Sequence, residues 1–167
     1  MRWRLSHRAD PPAVSLADRH YNRQHVGSPQ FVPPGACLVF VVDGDGPEPD
    51  AVWTTSWPKA EYVKHRWAGA WVNSIFRNER PDRHLSSELI RDALAATCWH
   101  WITPEIGMIT FVDATKVRHK RDPGRCYRRA GFRPVGETVG GLIALQLLPA
   151  DMPEPAPPIR AQFVLGV

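Results

Sequence analysis

Side chains able to do chemistry gather at a few places along this sequence. Asp113 follows the apolar run Met108–Val112, so it stands at a strand end, where α/β folds commonly open their substrate clefts. A carboxylate there can accept a proton or orient an amine, and the plainer job for a lone Asp is to cap the loop that follows. His20 and Tyr21 are adjacent, on an early helix or in the loop beside it. His20 can serve as base, proton relay or metal ligand because imidazole titrates near neutrality. Tyr21 offers a ring for stacking and a hydroxyl. Neighbours on a helix point about 100° apart, so the pair need not share a cleft. A packed Tyr21 beside an exposed His20 is the alternative.

Residues 116–133 carry eight basic side chains (Lys116, Arg118, Lys120, Arg121, Arg125, Arg128, Arg129, Arg133) and one acid, Asp122. Such a local field attracts phosphates, whether of a nucleic acid or of a nucleotide-like cofactor. A solvated basic face is the competing reading. Lys116, Arg118, Lys120, Arg121 and Arg125 are the candidate nucleic-acid contacts. Trp53, Trp57, Trp67 and Trp71 have faces on which a base could stack, although most Trp in a chain of this size fill the core. The seven His show no zincin spacing, and neither a nucleophile elbow nor a Walker loop is present. The sequence leaves a metal undecided.

The elements that must position these residues follow from periodicity and punctuation. Residues 2–7 read as a strand broken by residues 9–12, and a helix can begin at Ser15 as N-cap. Residues 37–42 form an unbroken apolar run, expected as a strand buried on both faces. Residues 51–57 make a hairpin partner across an emphatic turn. Residues 68–76 read as a strand with Ala70, Val72, Ser74 and Phe76 on one face and Trp71, Asn73 and Ile75 on the other. The clearest helix spans residues 86–102, with Leu89, Ile90, Ala93, Leu94, Thr97, Cys98 and Trp101 as its stripe and Ser86 or Ser87 as its cap. Met108–Val112 is a short central strand. Pro123 opens a short helix that stops at Gly131. Residues 132–139 and 142–148 are two closing strands. The order predicts an α/β fold with a mixed sheet, as one domain over residues 1–148, followed by a Pro-rich tail, 149–167.

The chain has 167 residues, 43% hydrophobic and 23% charged, with net charge +4. That is enough for a single self-sufficient core and too ordered a composition for disorder. Three separated Cys and the lack of a C-x-x-C pair signal neither a zinc site nor a disulfide framework. Without a signal peptide or an apolar run of membrane length, the chain reads as cytoplasmic, with no membrane partner.

One stretch carries a family resemblance. Tyr127-Arg128-Arg129-Ala130-Gly131-Phe132, running into Arg133-Pro134-Val135-Gly136, resembles the signature near the end of the GNAT family of N-acetyltransferases. The element order over most of residues 1–148 is similar to that fold as well. The resemblance implies that Tyr127 is a general acid, protonating the departing thiolate of coenzyme A. The family usually carries an Arg/Gln-x-x-Gly-x-Gly/Ala turn before the long helix, closing backbone amides on the pyrophosphate. Here that stretch is Arg80-Pro81-Asp82-Arg83-His84-Leu85-Ser86-Ser87, without a Gly and with one amide removed by Pro81. Arg80, Arg83, Ser86 and Ser87 are the candidate cofactor contacts, and the donor stays open between acetyl-coenzyme A and another acyl-like molecule.

Within that fold the chain is most similar to the Mom-like proteins of bacteriophages, which modify adenine in phage DNA and so block restriction. The similarity rests on His20-Tyr21, on Phe111-Val112-Asp113, on Gly124-Arg125-Cys126-Tyr127 running into Ala130-Gly131-Phe132, and on the lost pyrophosphate turn. It implies catalytic roles for Tyr127, Asp113, His20 and Tyr21, DNA as partner, and transfer of a small acyl-like or carbamoylmethyl group to an adenine amine. The alternative is an acetyl-coenzyme A-dependent N-acetyltransferase acting on a small amine or a protein. A third reading is an inactive nucleic-acid-binding protein on the same scaffold.

Overall fold

The apolar run at residues 37–42 forms the inner part of β2 (Gly35–Val42), and Val39 to Val42 are buried on both faces. In the computed structural model, which describes residues 1–23, 25–117 and 122–159, β2 lies second in a seven-stranded sheet. Its companions are β1 (Arg4–Ser6), β3 (Ala51–Pro58), β4 (Trp71–Asn78), β5 (Met108–Val112), β6 (Arg133–Glu137) and β7 (Ile143–Leu147). The spatial order is β1-β2-β3-β4-β5-β7-β6. Every neighbouring pair is antiparallel except β4 and β5, which are parallel and joined by a helical crossover. The fold is therefore mixed α/β, as the element order predicts.

That crossover is α2 (Ser86–His100), whose Leu89, Ile90, Ala93, Leu94 and Thr97 are fully buried at helical spacing. It packs on the sheet face that also holds Trp3, Phe40, Trp53, Trp71 and Met108. Each fully buried Leu or Ile there contributes about 1.5–3 kcal/mol. Trp53 and Trp71 are wholly inside this core, so neither is a stacking platform for a base. The helix starts without a side-chain cap. Leu85 is the N-cap, and the Ser86 hydroxyl, expected to cap, instead accepts from Asn78 Nδ2 at 3.0 Å.

The opposite face is covered by α1 (Pro11–Asp18), through Ala13, Leu16 and Ala17 against Val39, Val41, Val52 and Ile75. This helix begins four residues before Ser15, with Asp10 as N-cap. Pro11 and Pro12 do not break it, because the first turn has no intrahelical use for their missing N–H groups. It ends at Asp18, so His20 and Tyr21 lie beyond it in a turn.

β4 departs from simple alternation. Thr54 pairs with Ile75 but Thr55 with Asn73, so Ser74 is an extra residue in a β-bulge. The bulge reverses side-chain parity: Trp71 and Phe76 join the α2 face, and Val72 and Ile75 the other. α3 (Arg125–Arg129) starts after Gly124, whose φ of 79° suits only glycine, and not from Pro123. Residues 152–159 run back along the body, where Ala156 N–H donates to Ala95 O and Ile159 N–H to Trp3 O.

Candidate active site

β4 and β5 are hydrogen-bonded over only three positions, Trp71 to Asn73 against Met108 to Thr110. Beyond Asn73 and Thr110 they diverge, and a cleft of about 480 Å³ opens in the fork. Phe76 and Asn78 of β4, Thr110 and Val112 of β5, and Cys126 and Tyr127 of α3 contribute to its walls. The turn after α1 closes the front. Tyr21 Oη accepts from Asp113 N–H at 3.4 Å on the β5 side. Asn22 Nδ2 donates to Ser74 O at 3.2 Å, and Arg77 to Arg19 O at 2.7 Å, on the β4 side.

Tyr127 sits where the fork begins. Its ring packs edge-on against Phe76 and Phe132, and its hydroxyl donates to Asn73 Oδ1 at 2.6 Å. Burial pushes the phenol well above its usual range, so it carries its proton throughout the neutral range. Tyr21, raised by burial as well, stacks on His20 with ring centroids 4.4 Å apart. Both line the cleft, and His20 Nδ1 accepts from Asn22 N–H at 3.1 Å. The fork thus brings together Tyr127, Tyr21 and His20.

Asp113 is placed differently. Its Oδ1 accepts from the Thr115 hydroxyl at 2.6 Å and from Thr115 N–H at 3.0 Å, an Asx turn that caps the loop after β5. The Thr115 hydroxyl bond, above all, holds its carboxyl below the usual range, which makes it a weak base. It does not line the cleft. The structure shows this side chain in the capping arrangement, while its N–H helps hold Tyr21.

The candidate cofactor contacts divide likewise. Arg80 is committed to Asp82 by a double hydrogen bond, whose side-chain contact lowers the Asp82 carboxyl to about 2. Arg83 is held by Asp45 at 2.6 Å and by Asp50 at 3.4 Å. Neither lines either cleft. Ser86 and Ser87 border a second, smaller cleft of about 360 Å³ at the start of α2, beside Arg125 and Arg129. The two clefts share Ser86, Gly124 and Cys126. Of the candidate nucleic-acid contacts, Lys116 lies on the fork and Arg125 on the second cleft. Arg118, Lys120 and Arg121 lie outside the described residues. Among the described residues, no group of three or more His, Cys, Asp or Glu could hold a metal ion. No helix among them is long and apolar enough to cross a membrane.

Sequence reasoning missed Asn73 and Thr110. Their only signal is that both are polar positions within largely apolar strands, and the bulge hides which way Asn73 points.

No family model matches this chain, and no curated protein matches it. Solved structures do. A spermidine N-acetyltransferase from Vibrio cholerae, solved with CoA and spermine, is similar over 90% of this chain and 97% of its own, with a TM-score of 0.58 at 13% identity. The GNAT domain of PAT from S. lividans is similar over 87% of this chain and 89% of its own, with a TM-score of 0.59 at 12% identity. The fold is the GNAT fold.

Coenzyme A carries a pyrophosphate, and the turn before α2 spends several of the amides that could meet one. Arg80 N–H is taken by Asn78 Oδ1, while Arg83 N–H and His84 N–H both donate to Arg80 O. Pro81 has no N–H. His84 holds its imidazole in the body through a 2.8 Å contact from Nε2 to the buried Asp50. Three amides of the turn are thus spent within it, whereas the Ser86 and Ser87 amides that open α2 have no intrahelical acceptor and no side-chain cap.

Proposed function

We propose that this protein transfers a small acyl-type group from an activated donor to an amine, with the reacting atoms in the β4–β5 fork. One observation carries the reading: a phenol kept protonated by burial stands at the branch point of a fork open to substrate. Transfer requires the amine lone pair to attack the donor's acyl carbon, the bond to the leaving atom to break, and a proton to reach that atom. Tyr127 is the proton source. His20 lies on the same cleft with its Nδ1 lone pair held by Asn22 N–H, so the proton that the amine loses passes to solvent in the open fork. The similarity in fold to N-acetyltransferases supports this class of chemistry. The donor stays open between acetyl-coenzyme A and another acyl-like molecule.

A second reading concerns the acceptor. Among the described residues no Asp or Glu lines the fork; Arg19 and Arg77 on it are paired with Glu48 and Glu79, while Lys116 lies on it and Arg125 and Arg129 border the adjoining cleft. Lys116, with Arg125 and Arg129 of the adjoining cleft, suits an amine on a phosphate-bearing molecule, such as adenine in DNA as the Mom-like resemblance implies. A base in duplex DNA would have to leave the stack to enter the fork.

Mass spectrometry of nucleosides, small amines and proteins from cells expressing the protein separates these readings. A mass increment on deoxyadenosine supports the DNA acceptor, and one on a free amine or a protein supports the acetyltransferase-like reading. No increment in any fraction refutes the proposed transfer.

A further inference from the structure

We infer that Asn73 is a positioning residue of the fork, holding the Tyr127 hydroxyl and its transferable proton at the point where β4 and β5 part. The inference rests on the proposed acid role of Tyr127 and names the residue through which that role is set. Asn73 is used from both ends. Its Nδ2 donates to Thr54 O at 2.8 Å and to Ile75 O at 3.0 Å, the carbonyls that flank the bulge. Its Oδ1 accepts from Tyr127 Oη at 2.6 Å, with Thr110 Oγ1 3.4 Å away.

The amide has one workable orientation. Turned over, its oxygen would face two carbonyl oxygens and its NH₂ would face the phenol. At 3% exposure no solvent can compensate such a mismatch. Asn73 therefore presents only an acceptor to Tyr127, which keeps the phenol a donor and fixes its oxygen in the fork. The Thr110 hydroxyl, also donating to Asn73 O at 3.1 Å, bears on the same phenol and favours its ionised form. Once the proton has left, Thr110 is the group that can turn a hydrogen toward the phenolate. Holding the bulge needs only the Nδ2 end of Asn73. The Oδ1 end has Tyr127 as its short-range partner, and Asn is otherwise a poor choice for a strand interior.

The test reads the hydrogen bond with and without turnover. The chain has three Tyr, so ring-labelled tyrosine gives an NMR spectrum in which Tyr127 is assigned by its loss in Tyr127→Phe. Tyr21 and Cys126 are the titratable groups that bear on it. Asn73→Ala should shift the Tyr127 resonance and bring its titration closer to that of an ordinary phenol. It should also lower kcat roughly 10–100-fold with little change in KM. In a Tyr127→Phe background, Asn73→Ala should cost no further activity, since a residue acting through Tyr127 has nothing left to position.

If Asn73→Ala does not fold, Asn73→Asp keeps an acceptor oxygen on the phenol, and the introduced carboxylate should delay Tyr127 titration beyond the wild type. An unmoved Tyr127 resonance in the folded variant overturns the inference. So does an equal loss of activity from Asn73→Ala in both backgrounds, which would mark a purely structural role. Should Tyr127→Phe retain full activity while Asn73→Ala still moves the resonance, the acid role falls and the positioning geometry stands.

Discussion

Asp50 is the buried acid that anchors the turn leading into α2, and its removal has a cost that can be worked from its contacts. The residue is 5% exposed. Its backbone ties β2 to the end of β4, since Asp50 N–H donates to Val42 O and Glu79 N–H to Asp50 O. Its Oδ2 accepts from His84 Nε2 at 2.8 Å and from Arg83 at 3.4 Å. His84 Nδ1 is buried and has no hydrogen-bond partner among the described residues, so Asp50→Ala leaves the imidazole without a partner among them on either nitrogen. Arg83 keeps Asp45 and is partly exposed, so its loss is small. Stranding one buried polar group costs about 1–3 kcal/mol, which places Asp50→Ala near 2 kcal/mol. For a chain of this size that is a fall in Tm of about 4–8 °C. Asp50→Asn retains an acceptor oxygen and loses only charge assistance, so its cost should be about half as large. Urea unfolding and thermal melts of wild type, both variants, His84→Ala and the Asp50→Ala/His84→Ala double variant complete the cycle. A melt for Asp50→Ala within about 1 °C of the wild type would refute the reasoning. Additive losses in the double variant would do so as well.

Two further outcomes are expected. Burial lowers the pKa of His65, whose ring packs at a tilt against Phe111 and Trp67, so the unfolded chain binds the extra proton in mild acid. The resulting stability is present above the ordinary value of about 6.5 and is lost as pH falls through the folded value. Urea midpoints between about pH 8 and about pH 5 should fall less for His65→Gln than for the wild type, and equal falls would exclude His65 as the cause. If DNA is the partner, Lys116→Glu together with Arg125→Glu should weaken oligonucleotide binding and reduce the slope of log affinity against log salt by about 2. An unchanged slope in a salt series would make both residues ordinary solvated cations.

Much of the scaffold was legible because its signals are local. The run at residues 37–42, the α2 stripe and Met108–Val112 each announce themselves by apolar pattern alone, and Gly131 ends α3 as read, although its start moves from Pro123 to Gly124. The mistakes come from alternatives of nearly equal local merit. Pro11 and Pro12 read as a break, yet the first turn of a helix tolerates both. Ser86 has the chemistry of a cap, but Asn78, eight residues upstream, claims its hydroxyl. Long-range pairing decided both the bulge at Ser74 and the site that depends on it. Without the register of β3 against β4, Asn73 and Phe76 fall on opposite faces, and the contact from Asn73 to Tyr127 is invisible. Asp113 was found by its position at a strand end, but only the Thr115 contacts show that its carboxylate turns away from the cleft.

On the reading proposed, Tyr127 supplies a proton to the reaction in the fork. The most direct measurement quantifies, by mass spectrometry, the modified product from cells expressing equal amounts of folded wild type and Tyr127→Phe. General acid catalysis contributes roughly 10²–10⁴ in rate, so the product should fall by at least about a hundredfold. The variant should lose about 1–3 kcal/mol of stability, because Asn73 Oδ1 is left buried without its short-range partner. Undiminished product from the Phe variant would contradict the account.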